Sequence, residues 1–506
     1  MADTVAAFLD EHVAIGEGAR PAIVTPAGAT SYARLLELVN QTGHVLRDAD
    51  VGVEQRVAIW LPDGVAWASV FFGALRIGAV AVPLNTRLSP AACAAVLRDS
   101  RARVLVTDAA LARELEPWRA ELPYLRTVIQ AGEGAASPTL AERQARARVD
   151  LTPEVLTGDD MAFWLYTSGT TGGPKAAIHL HRDLLACRHY GIDVLGAGDG
   201  DRVLATSKLF FAYALGNALL IPLFVGARTF LDPRWAEAAA VAETVRAFRP
   251  TLFFSVPTFY ARLLDAELPA ETFRPVRACV SAGERLPPEV YAAWRERFDV
   301  EILDGLGATE TIFMVLSNRP GQSRAGAAGT AVPGTTVRLL DADGREVADG
   351  APGVLHVKTP SASPAYWNRV DQSRATFVGE WLRTGDVLTR DTDGFYQHLG
   401  REDDLFKVAG MWVTPGDVES VLLTHPGVAE AAVVGARDAG GLVKAFAFVV
   451  ARNGAPAERL VGELEGLAAR LPTHQRPRRI AVVDALPRTA TGKLQRFVLR
   501  ARIESR

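Results

Sequence analysis

The chain has 506 residues with a formal net charge of −3, and 49% of its residues are hydrophobic. This length suggests about three domain-sized units with large buried cores, and the composition excludes a disordered or fibrous protein. The near-neutral charge gives no electrostatic reason to expect nucleic acid or an anionic membrane as the main partner.

Three features of the sequence indicate a cytoplasmic location. The N-terminal segment has acidic residues in its first turns and lacks the basic-then-apolar order of a signal peptide. The most apolar stretch (residues 65–84) is interrupted by Arg76 and Pro83, which makes it too broken to span a bilayer. The three cysteines lie far apart without a CxxC pair, which fits a reducing compartment. We therefore expect a cytoplasmic protein without a membrane partner.

The first four-fifths of the chain alternates β-branched runs with amphipathic or Ala-rich stretches, the pattern of an α/β domain. Strands are predicted at residues 56–61, 103–108 and 251–256, and helices at residues 67–77, 234–248 and 257–266. From Val332 the pattern changes to short strands with Asp-Gly turns, as in VRLLDADGREV. This change predicts a small β-rich subdomain that ends near Gly400.

A compact unit of both helices and strands is predicted after Gly400. Its helices are expected at residues 415–423 and 459–471, and its strands at residues 430–436, 444–450 and 479–483. The tail PRTATGKLQR is polar and contains glycine, as expected of a mobile loop. We therefore predict an α/β protein with a large N-terminal domain, residues 1–400, and a small mobile α+β C-terminal domain, residues 401–506.

The segment YTSGTTGGPK (166–175) is the strongest chemical signal in the chain. It follows the apolar, strand-like run MAFWL. Small residues let the backbone approach an anion, and successive N–H groups with Ser and Thr hydroxyls can surround phosphate oxygens. The segment is not a Walker P-loop, because Pro174 separates glycine from Lys175 and Ala176 stands where Ser or Thr would hold Mg²⁺. A flexible surface loop is the simpler alternative, which the buried strand before it disfavours.

Lysine is rare in this chain and therefore informative. A chain that otherwise uses arginine keeps lysine where a compact ammonium group is needed, because a planar guanidinium cannot replace it in a tight site. Chance retention explains some of them equally well. The six lysines among the 55 basic residues are Lys175, Lys208, Lys358, Lys407, Lys444 and Lys493.

The segment YTSGTTGGPK resembles the phosphate-loop signature of the adenylate-forming superfamily of acyl-CoA synthetases, carrier-protein adenylation domains and luciferases. The other segments expected of that superfamily follow in order: SAGERLP (281–287), DGLGATE (304–310), WLRTGD (381–386), GREDDLFKVAGMWVTPGDVE (400–419) and PRTATGK (487–493). The segments LFFAYALGNAL (209–219) and DGLGATE resemble the benzoate-CoA ligase branch in particular. The resemblance covers nearly the whole chain.

The resemblance implies a nucleotide site and its catalytic groups. Lys493 would lie between the substrate carboxylate and the α-phosphate of ATP and offset their repulsion. Glu310, next to Thr309, would hold the Mg²⁺ bound to ATP. Asp386 would accept the ribose hydroxyls and Arg401 would donate to the same sugar; without the resemblance, Asp386 is equally well explained as a turn-capping residue. The other residues implied to bind ATP or CoA are Thr167, Ser168, Gly169, Thr170, Thr171, Lys175, Ala282, Gly283, Glu284, Asp304, Gly305, Lys407 and Gly410.

The resemblance also implies two half-reactions in one site. Asp403 falls at the hinge, so that the C-terminal domain would rotate after adenylation, withdraw Lys493 and present residues 407–412 to coenzyme A. Gly410 would let the pantetheine chain pass close to the backbone. A homodimer is a further expectation of the resemblance.

The acid pocket is expected from residues 210–216 and from the stretch after Glu310, although aromatic clusters more often form core than pocket. By resemblance Phe211, Ala212, Tyr213 and Gly307 line an aromatic acid, together with Phe313 and Met314. The last two replace a histidine–isoleucine pair of the benzoate ligases, and Leu306 replaces a tyrosine common in the wider superfamily. The larger, drier side chains disfavour a large or polar para substituent.

The sequence thus predicts an aryl acid:CoA ligase that uses ATP, Mg²⁺ and coenzyme A. Two alternatives keep the first step and change the acceptor: a separate carrier protein that brings a phosphopantetheine thiol, or a luciferase-like oxidation. A non-catalytic nucleotide-binding protein on the same fold is an alternative of another class. The presence of the lysines and of Glu310 favours catalysis, and the acyl group needs no enzyme nucleophile, so the cysteines have no predicted role.

Overall fold

The computed structural model describes residues 7–167, 174–438, 440–452, 457–488 and 494–504. These residues form two compact units. The larger unit takes the described residues up to Thr167, then those from Pro174 to Val337 and from Val357 to Leu382. The smaller unit takes residues 338–356 and the described residues from Arg383 onward. A functional division of the chain at residue 401 stays a prediction.

The larger unit is built on two β-sheets. Its strands up to residue 331 are β1 (Pro21–Thr25), β2 (Gly28–Ser31), β3 (Arg56–Trp60), β4 (Val80–Pro83), β5 (Val104–Asp108), β6 (Thr127–Ala131), β7 (Met161–Thr167), β8 (Lys175–Leu180), β9 (Arg202–Ala205), β10 (Arg228–Phe230), β11 (Leu252–Ser255), β12 (Ala278–Ser281), β13 (Ile302–Gly307), β14 (Met314–Ser317) and β15 (Thr330–Ala331). The helices over the same part of the chain are α1 (Phe8–Ala14), α2 (Tyr32–Asp48), α3 (Val65–Arg76), α4 (Pro90–Ser100), α5 (Ala109–Leu115), α6 (Leu140–Arg146), α7 (His181–His189), α8 (Ala212–Ala214), α9 (Ile221–Phe224), α10 (Ala238–Phe248), α11 (Pro257–Asp265) and α12 (Pro288–Phe298).

One sheet has six strands in the order β6-β5-β3-β4-β7-β8, and the other has nine in the order β15-β14-β13-β12-β11-β9-β10-β1-β2. In the six-stranded sheet every neighbouring pair is parallel except β7 and β8. Central parallel strands are covered on both faces, which is why β3, β4 and β5 are continuous apolar runs. A hydrophobic cluster joins helices α2 and α3 to strands of both sheets. Helix α3 is buried along nearly its whole length, as an evenly apolar helix must be.

The remaining elements follow residue 331. They are the strands β16 (Thr336–Leu340), β17 (Gly353–Lys358), β18 (Phe377–Val378), β19 (Trp381–Arg390), β20 (Tyr396–Arg401), β21 (Phe406–Val408), β22 (Met411–Val413), β23 (Val428–Arg437), β24 (Val443–Ala451) and β25 (Arg479–Val482), and the helices α13 (Val370–Thr376), α14 (Pro415–Leu423), α15 (Ala457–Ala468) and α16 (Arg496–Glu504). In the smaller unit β19 and β20 form an antiparallel hairpin, β21 and β22 form another, and β23, β24 and β25 form a three-stranded sheet.

The mixed α/β architecture with a large and a small unit confirms the predicted fold class. One predicted helix, at residues 234–248, begins four residues late, at Ala238. The Arg234 backbone N–H donates to the Asp232 carboxylate, and its guanidinium returns to the same group, which holds this segment in a turn. None of the described helices combines the length and the apolar character that crossing a bilayer requires.

Candidate active site

A tight turn after strand β13 carries Thr309 and Glu310. The strand ends at Gly307, where a Cβ would lie 2.6 Å from the Phe313 carbonyl oxygen, so only glycine fits this approach. Residues Thr309–Thr311 form a single 3₁₀ turn. The Thr311 hydroxyl accepts from the Ala308 N–H (3.2 Å) and donates to the Phe313 carbonyl (2.9 Å). The sequence GLGATE therefore forms a closed turn that holds Glu310 in place.

Two polar side chains meet at the Glu310 carboxylate. The Tyr366 hydroxyl donates a 2.5 Å hydrogen bond to Oε1 of Glu310, and Nζ of Lys175 lies 3.9 Å from the same oxygen. The ammonium also lies 3.8 Å from the centroid of the Tyr366 ring, within the range of a cation–π contact. The side chains of Lys175 and Glu310 are only 20% and 16% exposed. The structure thus brings together two predicted site residues, and it adds Tyr366, for which the sequence carried no signal.

His179 connects this turn to strand β8. Its Nε2 lies 2.8 Å from the Thr309 carbonyl oxygen, and because a carbonyl can only accept, Nε2 is the donor of this bond. Its Nδ1 lies 3.1 Å from the Asp183 carboxylate, and the ring stacks on Phe163 at 4.8 Å. The ring is fully buried. The packing of this ring fixes the backbone of Thr309.

The two described ends of the phosphate segment face each other. Thr167 ends β7, Lys175 begins β8, and the two residues are directly opposite in the antiparallel pair. Ser168, Gly169, Thr170 and Thr171 lie outside the described residues, and so does Lys493. The predictions for these positions therefore stay predictions.

Three residues predicted to bind ATP or CoA, at positions 282–284, follow strand β12, which pairs in parallel with β13. Ala282 is buried, and Gly283 has φ +88°, a conformation that favours glycine. Glu284 accepts a 3.3 Å hydrogen bond from the Thr258 N–H at the start of helix α11. On β13, Asp304 is buried, and this burial raises the pKa of its carboxyl to about 7. Gly305 lies so close to the Leu316 carbonyl that a Cβ would be only 2.8 Å away from that oxygen.

The residues predicted for the acid pocket gather around one hydrophobic cluster. Phe313 and Met314 are buried members of it, and Ala212 and Tyr213 pack against it. The Tyr213 hydroxyl lies 2.9 Å from the Val280 carbonyl and 3.1 Å from the Ser255 carbonyl, and burial raises its pKa well above the ordinary value. The Phe211 ring packs on Phe210, at 4.5 Å between centroids.

Two π-helical turns flank this cluster, at Tyr190–Val194 and at Leu215–Leu220. The Phe313 ring contacts Tyr190 edge-on at 5.3 Å. A Cβ on Gly216 would lie 4.0 Å from the Phe313 ring and 3.6 Å from the Cys187 sulfur. Such turns are frequent at functional sites, and here they place Tyr190 and Gly216 next to Phe313.

In the smaller unit, Asp386 and Arg401 are directly opposite at the open end of the β19–β20 hairpin. Asp386 accepts hydrogen bonds from His398 and from Arg401, each 3.1 Å long. Burial acts to raise the pKa of Asp386, but the bonds to His398 and the charge of Arg401 outweigh it, so that the pKa lies below its ordinary value. Asp386 is therefore an ionised acceptor at neutral pH. His398 was missed from the sequence because its partner is set by the strand register.

The predicted hinge and CoA residues also lie in the smaller unit. The Asp403 carbonyl accepts a 3.1 Å hydrogen bond from Arg500. Lys407 lies on β21, with its ammonium 4.6 Å from the centroid of the Trp412 ring on β22. Gly410 has φ +80° in the turn between these strands. Trp412 is 47% exposed, an unusual state for tryptophan that is typical of binding surfaces.

The part of the chain that the structure describes contains no group of three or more His, Cys, Asp or Glu side chains arranged to hold a metal ion. Glu310 is a single carboxylate, which suits a Mg²⁺ ion that arrives with nucleotide phosphates and keeps water ligands better than a dedicated cage. A carboxylate offers about four acceptor positions. The bond from Tyr366 therefore leaves Glu310 able to bind a cation.

The α/β architecture and the Lys175–Glu310 pair fit the predicted class, a nucleotide-binding enzyme. The chain belongs to the AMP-binding enzyme family, which it matches over residues 10–367, and it matches the C-terminal domain of these enzymes over residues 417–493. These findings confirm the resemblance inferred from the six ordered segments.

The chain is also similar to individual enzymes of about the same length. The chain is 41% identical to a 4-hydroxybenzoate–CoA/benzoate–CoA ligase of Rhodopseudomonas palustris over 97% of this chain and 93% of that protein. A crystal structure of a benzoate CoA ligase from Burkholderia xenovorans LB400 is 40% identical, covers 98% of this chain and 99% of its own, and has a TM-score of 0.90. The anthranilate CoA ligase AuaEII in complex with anthranoyl-AMP is 36% identical, with a TM-score of 0.93 over 99% of this chain and 97% of its own.

Proposed function

We propose that this protein is an aryl acid:CoA ligase that activates a benzoate-type acid. The observation that carries the proposal is the similarity to aryl acid:CoA ligases along nearly the whole length of both chains. ATP and CoA are the co-substrates of this family. In the first step a carboxylate oxygen of the acid attacks the α-phosphorus of ATP, and pyrophosphate leaves. In the second step the CoA thiol attacks the acyl carbon, loses its proton, and AMP leaves.

The described residues of the larger unit fit the binding of the phosphates. Lys175 presents an ammonium group at the end of the phosphate segment, and the 2.5 Å bond from Tyr366 holds the Glu310 carboxylate beside it. Glu310 would hold Mg²⁺, which neutralises charge on the phosphates when it is bound. Preorganised charges of this kind stabilise the charge that develops as the phosphates separate. The His179 ring holds the backbone of Thr309. We place Thr309 beside the reacting groups as well.

The smaller unit supplies the ribose contacts in this proposal. Ionised Asp386 would accept from the vicinal hydroxyls, and Arg401 would donate to the same sugar. Lys493 would stabilise the adenylation step. The exposed Trp412 and the Lys407 ammonium above it would meet coenzyme A, with Gly410 giving the turn its close backbone approach. Rotation of the C-terminal domain about Asp403 would separate the two steps. The rotation would act as a gate that determines which of the two steps the site performs.

The acid is proposed to be benzoate or a benzoate with a small substituent. Phe313 and Met314 are 8% and 3% exposed and make the cluster around Tyr213 apolar and bulky. An apolar site without a fixed polar partner separates such acids by only about 1–3 kcal/mol for each small group. A large or polar para substituent is therefore expected to be a poor substrate.

The test is an ATP-, Mg²⁺- and CoA-dependent assay of pyrophosphate release over a panel of aryl and short aliphatic acids, with the acyl product identified by mass spectrometry. A preference for benzoates with acyl-CoA as product supports the proposal. Pyrophosphate release without acyl-CoA points to a carrier-protein thiol as the acceptor, and no release with any acid contradicts the proposal. A Lys493→Ala variant is the control for enzyme-dependent adenylation, and gel filtration of the same protein tests the expected homodimer.

A further inference from the structure

A charged cavity lies in the larger unit, at the edge of the six-stranded sheet. It has a volume of about 270 Å³. Its lining consists almost entirely of basic and aromatic side chains: Gln55, Arg56, Arg101, Arg103, Tyr124 and Arg126. None of the groups proposed above to bind ATP, acid or CoA belongs to this lining.

The topology separates this cavity from the phosphate segment. Arg56 begins β3, Arg103 directly precedes β5, and Arg126 directly precedes β6, three adjacent parallel strands. These arginines therefore lie at the amino edge of the sheet. Strand β7 is parallel to β4 and through it to β3, so Thr167 lies at the carboxyl edge of the same sheet. The cavity and the phosphate segment are at opposite edges.

The guanidinium groups of Arg56 and Arg101 are held in place. Arg56 donates 2.8 Å hydrogen bonds to the carbonyl oxygens of Ser100 and Glu54, and it lies 5.5 Å from the Trp367 ring centroid. Arg101 lies at the same distance, 5.5 Å, from the Trp367 ring, and 5.9 Å from the Tyr124 ring. Guanidinium groups fixed in this way lose little conformational freedom when they bind an anion.

The cavity carries more positive than negative charge. Arg103 pairs with Asp50, whose side chain is 86% exposed, and Glu54 lies near Arg56. Arg101 and Arg126 make no hydrogen bond or ion pair through their side chains to the rest of the described chain. Burial lowers the pKa of Arg56, and the charge of Arg101 lowers it further. The like charges therefore oppose each other in the unliganded cavity, and an anion would relieve that repulsion.

One donor of a lining residue has no hydrogen-bond partner among the described residues. Nε of Arg103 is buried, and within the described residues it has no hydrogen-bond acceptor. A buried N–H donor without an acceptor is destabilising. Planar guanidinium forks match the geometry of phosphate oxygens, so an anion in the cavity would bind to the arginines that line it.

We propose that this cavity binds the phosphate group of a small phosphorylated metabolite, separately from the ATP site. Arg101, Arg103 and Arg126 would contact the phosphate oxygens, while Arg56 supplies fixed charge at the base. The volume exceeds that of a phosphate group alone, and the 47% exposed Tyr124 ring offers a face against which a planar part of the ligand would pack.

Isothermal titration of the whole protein with inorganic phosphate at constant ionic strength tests the proposal. The variants Arg101→Gln and Arg126→Gln remove donors that make no hydrogen bond or ion pair within the described chain, so both are expected to fold. Each is expected to weaken phosphate binding about tenfold, the size of one lost charge-assisted hydrogen bond. The matched control is Arg98→Gln, which removes an equal charge from neighbouring helix α4, where Arg98 pairs with Glu121 at 2.6 Å. The control is expected to keep the wild-type affinity.

Three results would overturn the proposal. They are wild-type phosphate affinity in both cavity variants, an equal loss in Arg98→Gln, or no binding by the wild type up to about 10 mM phosphate. Cavity-dependent binding of a single-stranded RNA without binding of phosphate also overturns it, in favour of a polyanion. Pyrophosphate release with benzoate is expected to be unchanged in the cavity variants, which separates failure here from failure of the proposed ligase activity.

Discussion

Replacement of Tyr366 by phenylalanine tests how the candidate site positions Glu310. The hydroxyl is the donor of the 2.5 Å bond to Oε1, whereas the ring faces Lys175 at 3.8 Å. Tyr366→Phe removes the hydroxyl and keeps the ring, so the cation–π contact and the local packing are retained. The change therefore isolates one hydrogen bond to one carboxylate.

The expected magnitude follows from the environment of that bond. A hydrogen bond to a charged group contributes about 1.5–3 kcal/mol, and the Glu310 side chain is only 16% exposed, so water replaces the lost donor poorly. With about 1.36 kcal/mol for each factor of ten, adenylation is expected to slow between about tenfold and a hundredfold. The Mg²⁺ concentration needed for half-maximal rate is expected to rise, because Glu310 is less well oriented.

The assay is pyrophosphate release at saturating acid and ATP over a Mg²⁺ titration. Tyr291→Phe is the control, since it removes a hydroxyl that lies 2.6 Å from Ser323 outside the candidate site. The control is expected to keep both the rate and the Mg²⁺ requirement of the wild type. A Tyr366→Phe enzyme with a wild-type rate and an unchanged Mg²⁺ requirement would refute the positioning role of Tyr366.

Three further predictions concern other parts of the site. Lys493→Ala is expected to lose adenylation by a factor on the order of 10²–10³ while still forming the thioester from supplied acyl-AMP; equal loss of both steps in single-turnover assays contradicts this division. Phe313→Ala is expected to raise the relative kcat/KM for para-substituted benzoates by about tenfold, and an unchanged series would remove Phe313 from the pocket. Because burial raises the pKa of Asp304 from 3.8 to about 7, the folded state holds a proton that the unfolded chain releases. The free energy of unfolding should therefore fall as pH rises from about 4 to 7. Denaturant titrations should show that Asp304→Asn flattens this slope; an unchanged slope would contradict it.

Much of the fold could be predicted because the deciding information is local. The apolar runs of β3 and β5 and the Pro415 that begins helix α14 each determine their element from neighbouring residues. The helix start at Ala238 was not predictable in this way. Asp232 and Arg234 form a side-chain pair that competes with helix formation, and the amphipathic pattern does not register such a pair.

The candidate site likewise contains some residues that local sequence predicts and others that only tertiary packing reveals. Lys175 and Glu310 were predicted because they lie in segments with a recognisable order. Tyr366 is 56 residues from Glu310, and His179 is 130 residues from Thr309, so their contacts arise only from the packing of β8 and the turn after β13. Residue type alone did not indicate a site role for either.

The most direct test of the central claim is to trap the intermediate. The protein is mixed with ATP, Mg²⁺ and benzoate without CoA, quenched, and examined by mass spectrometry before and after CoA is added. The account predicts protein-bound benzoyl-AMP with release of pyrophosphate, and its conversion to benzoyl-CoA and AMP when CoA is present. Benzoyl-CoA formed together with ADP and phosphate, or no acyl product from any aryl acid, would contradict it.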